Sequence, residues 1–311
     1  MAGTLVSTII PVFNRAAMLR EAVASVLAQT HRPIELLLVD DGSTDDTPAV
    51  ADELGRMHPE VAHVFHRANG GAGAARETAR LAARGDFIQH LDSDDLLLPR
   101  KFELQVAALQ ARPECGAAYG WTRLRHDDGR VEPRPWKRSG EEIATMFPAM
   151  LAARWWDTPN PLYRASLIRE AGPWTALRIE EDWEYDCRLA ARGVRLAYVP
   201  EWVCEVRRHD AHTSGHGGAE SLRDRARAHL LMLEHARRAG IARDVPEMRH
   251  FARDLFHLAR QCGAAGLEDE SRMLVEAAAS VSAARDLRAY AFLARRIGWS
   301  RAGRFAERLR R

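Results

Sequence analysis

A chain of 311 residues, 46% hydrophobic and 28% charged, carries enough apolar material for a sizeable core, which excludes wholesale disorder. Its formal net charge of +2 gives the molecule as a whole no electrostatic footprint for nucleic acid. The four cysteines, Cys115, Cys187, Cys204 and Cys262, form no Cys-x-x-Cys pair, so neither a zinc site nor a disulfide framework is expected, only small buried residues of a reducing compartment.

Met1 leads almost directly into a strand, without a basic and apolar leader, and no stretch has the apolar length to span a bilayer. A cytoplasmic protein is expected. The first strand, Leu5 to Val12, is followed by a helix with Met18, Leu19, Ala22, Val23, Val26 and Leu27 on one face. Ile34 to Val39 reads as a second buried strand. Ser43 or Thr44 is the expected cap of a helix through Val50 and Leu54, and Val61 to Phe65 gives a third strand. Ala72 to Ala83 reads as a helix stopped by Gly85, ahead of a fourth strand, Phe87 to Leu91. Alternating strands and helices predict an α/β fold with a mainly parallel, Rossmann-like sheet and helices on both faces, binding ligands beyond the carboxyl ends of its strands.

The acidic pairs fall at those ends. Asp40-Asp41-Gly42-Ser43 follows the second strand and Asp92-Ser93-Asp94-Asp95 the fourth. Crowded carboxylates repel one another, and a divalent cation bound with a phosphate relieves that repulsion. The other reading is a pair of solvated turns, the second capping the helix opened by Pro99-Arg100-Lys101-Phe102. Between them, Asn69-Gly70-Gly71-Ala72-Gly73-Ala74-Ala75-Arg76 is a glycine-rich helix entry at which backbone can approach phosphate. Arg76 stands where a dinucleotide frame needs glycine, which disfavours a nicotinamide or flavin site.

Ile10-Pro11-Val12-Phe13-Asn14-Arg15, Val39-Asp40-Asp41-Gly42-Ser43-Thr44-Asp45, Asn69-x-Gly71 leading to Ala75-Arg76, Leu91-Asp92-Ser93-Asp94-Asp95 and Glu181-Asp182-Trp183 occur in an order that resembles family 2 glycosyltransferases, over roughly residues 4 to 214. The resemblance implies a GT-A fold, a nucleotide-sugar donor of the uridine diphosphate class, a Mn²⁺ or Mg²⁺ ion and inversion at the anomeric carbon. It assigns Pro11 and Phe13 to the floor of a nucleobase pocket, Asp41 to the uracil imide, and Asp40 to its support or the ribose. Asp94 becomes the direct metal ligand and Asp92 its partner toward ribose and metal; Arg76 is a donor contact or a surface residue, and Asp95 only a cap. Hard oxygen donors suit Mg²⁺ or Mn²⁺ completed by phosphates better than a calcium cage.

Downstream, Ile179 to Leu189 resembles the family's Glu-Asp motif at a helix start, with Trp183, Cys187 and Leu189 or Ala190 buried and Asp182 as the base. Helix-dipole stabilisation accounts for the same acids without chemistry. Arg207-Arg208-His209-Asp210-Ala211-His212-Thr213-Ser214 resembles the end of the catalytic domain. There His209, rather than His212, completes the metal shell or binds diphosphate, or is simply a hydrogen-bonded loop residue. Trp155, Trp156, Asp157, Pro159, Asn160 and Pro161 either line an acceptor side or pack in the core. Neither a Gln-x-x-Arg-Trp run after Asp182 nor a membrane helix, the features expected of processive synthases in the family it resembles, is read in the sequence. The resemblance therefore implies transfer of a single sugar.

From Ala219 the pattern turns helical, with stripes Leu222, Ala226, Leu230, Leu233, Ala236 and Phe251, Leu255, Leu258, Ala259. The division expected is a catalytic domain over 1–215 and a helical C-terminal extension over 216–311. Arg285–Arg311 carries nine arginines and two acids around Leu287, Tyr290, Phe292, Leu293, Ile297 and Trp299. It suits either a helix on anionic lipid with Trp299 at the interface, at the inner face of the membrane, or packing on the catalytic domain or in a homo-oligomer with solvated arginines. The function expected is metal-dependent transfer from a UDP-sugar to a glycan, lipid-linked sugar, peptide or small natural product. The rivals are a sugar-phosphate nucleotidyltransferase and a non-catalytic nucleotide-sugar-binding scaffold.

Overall fold

The computed structural model describes residues 3–209 and 218–308, arranged in two compact units. The first gathers residues 1–145, 155–176 and 194–212. It holds one sheet of eight strands: β1 (Val6–Val12), β2 (Ile34–Asp40), β3 (Ala62–His66), β4 (Phe87–His90), β5 (Leu96–Leu97), β6 (Cys115–Arg125), β7 (Leu162–Arg164) and β8 (Arg195–Arg207), in the order β3-β2-β1-β4-β7-β6-β8-β5. Pairings β3-β2, β2-β1, β1-β4 and β6-β8 are parallel, while β7 and β5 enter antiparallel.

Every residue of β1 and β2 is buried, as expected for parallel strands covered on both faces by helices. Helix α1 (Ala16–Leu27) supplies cover with Leu19, Ala22, Val23 and Val26, and α2 (Thr47–Met57) with Val50, Ala51 and Leu54. Helices α3 (Ala72–Ala82), α4 (Lys101–Ala111) and α5 (Ala165–Ala171) complete the unit. The expected Ser43 or Thr44 cap is not made. Helix α2 starts after Asp46, and Asp45 Oδ1 accepts from the Thr47 N–H at 2.9 Å. Ser43 instead accepts from the Asn14 N–H at 2.9 Å, and the Thr44 N–H donates to Asn14 Oδ1 at 2.8 Å, tying the end of β1 to the turn after β2.

The second unit takes residues 146–154, 177–193 and 213–311. It contains a 3-10 turn, Ala149–Leu151, and helices α6 (Glu181–Ala190), α7 (Ala219–Arg238), α8 (Pro246–Ala264), α9 (Glu268–Val281), α10 (Arg285–Ile297) and α11 (Trp299–Arg308). Phe251, Leu255, Leu258 and Ala259 are buried as their spacing predicts. The α7 stripe is rotated from the expected one: Leu222 and Leu230 are half-buried, whereas His229 and Met232 are buried, and the His229 ring stacks on Phe251 at 5.5 Å. Gly263 permits the close approach of α11, because a Cβ there would meet the Trp299 carbonyl oxygen at 2.8 Å. The four cysteines are buried and free. Among the described residues no helix is long and apolar enough to cross a membrane. The expected boundary at 215/216, and with it His212, Thr213 and Ser214, lies outside the described residues.

Candidate active site

The carboxyl ends of β2 and β4 carry the first unit's acidic turns. Asp41 is buried and accepts from three donors, Gly71 N at 2.7 Å, Gly70 N at 3.0 and 3.1 Å, and Arg67 Nη1 at 2.6 Å. Its carboxylate therefore fixes the glycine-rich entry to α3. Two amides expected to be open to a phosphate point at Asp41 instead. Gly42 adopts φ +76°, and a Cβ there would meet Asn69 N at 2.7 Å, so the turn requires glycine. Asp40 accepts from Ser43 N at 3.1 Å and faces His66 Nδ1 at 3.2 Å. The His66 imidazole is held above its usual range, first by Asp52 and then by Asp40, against desolvation.

In the second acidic turn each carboxylate has its own cation or donor. Asp92 accepts from Arg76 Nη2 at 2.5 Å; Arg76 is buried on α3 with its guanidinium 4.8 Å over the Trp174 ring, not on the surface. Asp94 Oδ2 faces Arg15 Nη1 at 2.5 Å and His209 Nε2 at 2.9 Å. Arg207 donates through Nε to the Asp94 carbonyl at 2.5 Å and through its backbone N–H to Asp95 at 3.1 Å. Burial pushes the Asp95 carboxyl well above the usual range, and the neighbouring Asp94 and Asp92 add to it. The turn does not cap α4, since β5 intervenes. Pro11 is buried in β1, while Phe13 just beyond it is exposed beside Asn14.

Asp92 and Asp94 supply hard oxygen donors and His209 a nitrogen within 3 Å of one of them. Among the described residues, no group of three or more His, Cys, Asp or Glu side chains is placed so as to hold a metal ion by itself. Magnesium-type ions are commonly held by one or two carboxylates with phosphates completing the shell, and the donor set fits that mode.

In the second unit, α6 opens with a run of acids whose partners differ. Arg188 and His235 hold Glu184, with His235 Nε2 at 2.8 Å, and Arg225 Nε meets Glu180 at 3.0 Å. Arg154 forks across one helical turn, joining Asp182 Oδ2 and, at 3.0 Å, Asp186 Oδ2. The Asp182 side chain is 25% exposed, against 18% for Glu180, 4% for Asp186 and 1% for Glu184, so it is the most accessible of these four carboxylates. Trp183, expected in the core, is half-buried with its indole N–H on the Met150 carbonyl at 2.8 Å.

Trp155, Trp156 and Asn160 are core residues and do not line an acceptor surface. Trp156 packs at 5.0 Å against Tyr119, and the Asn160 amide bonds Gly120 and Thr122. Sequence reasoning missed the clamps Arg15, Arg67, Arg154 and Arg207. Arg15 and Arg207 carried a signal, as the residues that close the first matched motif and open the last.

Residues 7–170 match the family model described as Glycosyl transferase family 2. An uncharacterized glycosyltransferase of Rickettsia felis is 42% identical over 107 residues, 34% of this chain and 17% of that protein. An uncharacterized protein of Mycobacterium tuberculosis H37Rv is 29% identical over 232 residues, 68% of this chain and 64% of that protein. The chain thus spans less than two-thirds of these curated relatives. Among solved structures, S. aureus TarS 1–349 in complex with UDP has a TM-score of 0.69 at 19% identity, covering 100% of this chain and 92% of that one. The mannosyltransferase PcManGT from Pyrobaculum calidifontis, in complex with GDP-Man and Mn²⁺, has a TM-score of 0.54 at 18% identity, covering 97% and 84%. At such identities the likeness speaks for the fold, a GT-A-like mixed, mostly parallel sheet with added helices, while the sequence match over more than half its length makes this chain a member of glycosyl transferase family 2.

Proposed function

We propose that the chain, with residues 1–215 as its catalytic domain, is an inverting, non-processive glycosyltransferase moving one sugar from a UDP-sugar to an acceptor hydroxyl. The observation that carries this reading is the linked set of acidic turns at the strand ends: Asp41 through Gly71 to α3, Arg76 on α3 to Asp92, and Arg15 with His209 on Asp94. Carboxylates already organised by donors need little rearrangement to receive a nucleotide and its counter-ion. Solved relatives of the same fold are bound to UDP, UDP-GlcNAc, or GDP-Man with Mn²⁺, which supports the ligand class.

Pro11 and Phe13 form the nucleobase floor in this proposal, with Asp40 and Asp41 serving the base and ribose. Arg76 acts through Asp92 and not by direct contact with the donor. Asp94, Asp92 and His209 hold a Mn²⁺ or Mg²⁺ ion, which when bound neutralises charge on the departing nucleoside diphosphate. Asp182 takes the acceptor proton as the hydroxyl attacks the anomeric carbon from the face opposite the leaving group, in one displacement. Its support is the accessible carboxylate held by Arg154.

Asp182→Asn tests the assignment. Turnover should fall by roughly 10²–10⁴ in kcat, the usual range for losing a positioned general base, with donor affinity by calorimetry unchanged. A destabilised variant of normal kcat would leave Asp182 a helix-stabilising acid only.

A further inference from the structure

Helices α10 and α11 bury one face and leave the other in an unusual state. Leu287, Tyr290 and Ala294 on α10 and Ala302 and Gly303 on α11 are buried, which anchors both helices in the second unit. Trp299 is half-buried 6.2 Å from Tyr290, so it belongs to that packing and not to an interface. The opposite faces expose Phe292 at 61% and Phe305 at 53%, with Ile297 at 38%.

Each exposed phenylalanine stands among arginines at helical-neighbour spacing. Around Phe292 lie Arg288 four residues before and Arg295 and Arg296 three and four after, with the Arg296 guanidinium 4.7 Å over the ring. Around Phe305 lie Arg301 four before and Arg308 three after. These arginines are exposed, and among the described residues none has a carboxylate within ion-pair distance. Some exposed arginines elsewhere in the chain are paired, as Arg100 with Glu103, Arg138 with Glu141 and Arg238 with Glu234, and others, such as Arg56 and Arg227, are not paired among the described residues. Nine arginines and two acids give residues 285–311 a formal +7, so a chain total of +2 leaves −5 on residues 1–284. The cationic charge is segregated at one end.

We propose that the exposed faces of α10 and α11 are an interfacial binding surface for an anionic phospholipid bilayer. Guanidinium groups reach lipid phosphates while Phe292 and Phe305 enter the acyl boundary, a combination that lets long cationic side chains snorkel around an inserted ring. A small soluble anion satisfies the arginines but gives two mostly exposed rings no apolar phase; a bilayer supplies both. Crossing the membrane is not involved, since none of these helices is long and apolar enough. The inference stands independently of the glycosyl-transfer reading.

Sedimentation of the full chain with vesicles tests it. Vesicles containing about a third phosphatidylglycerol should carry the protein down at low salt, neutral phosphatidylcholine vesicles should not, and about 0.5 M salt should release it. Arg295→Gln with Arg296→Gln should weaken partitioning roughly fivefold per arginine. Phe292→Ser and Phe305→Ser should each weaken it about tenfold. All four substitutions are exposed and should leave the melting temperature unchanged. Failure to sediment with anionic vesicles at low salt overturns the proposal. So does binding unaffected by both phenylalanine substitutions, or tighter binding of a single-stranded oligonucleotide through the same residues.

Discussion

Lys101, the first residue of α4, is fully buried, and its ammonium donates to Gln105 Oε1 at 2.6 Å and the Asn160 carbonyl at 2.5 Å. Both acceptors are uncharged. Burial pushes its pKa down from 10.5 to about 7, opposed by the Cys204 thiol. Between about pH 7 and 10.5 the unfolded chain therefore holds a proton that the folded chain has released. Where the unfolded state binds more protons stability rises with pH, and one proton corresponds to a factor of about ten in the folding equilibrium per pH unit. Below pH 7 both states are protonated and the contribution is flat. Lys101→Met deletes this dependence along with two hydrogen bonds. Urea unfolding of both proteins from about pH 6 to 9.5 should show the wild type gaining on the variant by about tenfold per unit above pH 7. Cysteine and tyrosine titration is common to both and cancels in the difference. Parallel profiles across that range would refute the reasoning and mean that Gln105 and Asn160 keep the ammonium charged in the core.

Asp94→Ala should abolish turnover and the metal-dependent part of UDP binding, because the diphosphate would face the remaining carboxylates without a held cation. Calorimetry with and without chelator checks it. Gly42→Ala should cost about 1–3 kcal/mol from the positive φ alone, and more from the Asn69 backbone 2.7 Å from the new methyl. Denaturant melts read the loss, and weaker UDP binding should accompany it, because Asp41 and the Gly70–Gly71 amides would shift together.

The half of the sheet legible in the sequence is the half made of continuous apolar strands alternating with helices. β1, β2 and β4 are buried on every residue, as suits strands covered on both faces. β3 was read as well, from Val61 to Phe65, whereas β5 to β8 were not legible. β7 is three residues long, below any periodicity, and β6 and β8 pair through register shifts around Gly116, Gly120 and Thr122, which break alternation. Asp40, Asp41, Asp92 and Asp94 were legible because they cluster at strand ends and repeat an ordered motif. Their clamps were not, since Arg15 is 79 residues from Asp94 and Arg154 is 28 from Asp182, distances at which arginine reads as surface. Trp155 and Trp156 show the reverse: aromatic residues beside an acid look like a sugar platform until their burial is known.

The most direct test of the central claim is the identity of the phosphate product released on turnover. Incubated with a panel of UDP- and GDP-sugars, Mn²⁺ and candidate acceptor hydroxyls, the wild type should release nucleoside diphosphate in step with glycosylated acceptor of inverted anomeric configuration. Release of pyrophosphate would make the chain a nucleotidyltransferase, and donor binding without any release across the panel would make it a scaffold; either result contradicts the account.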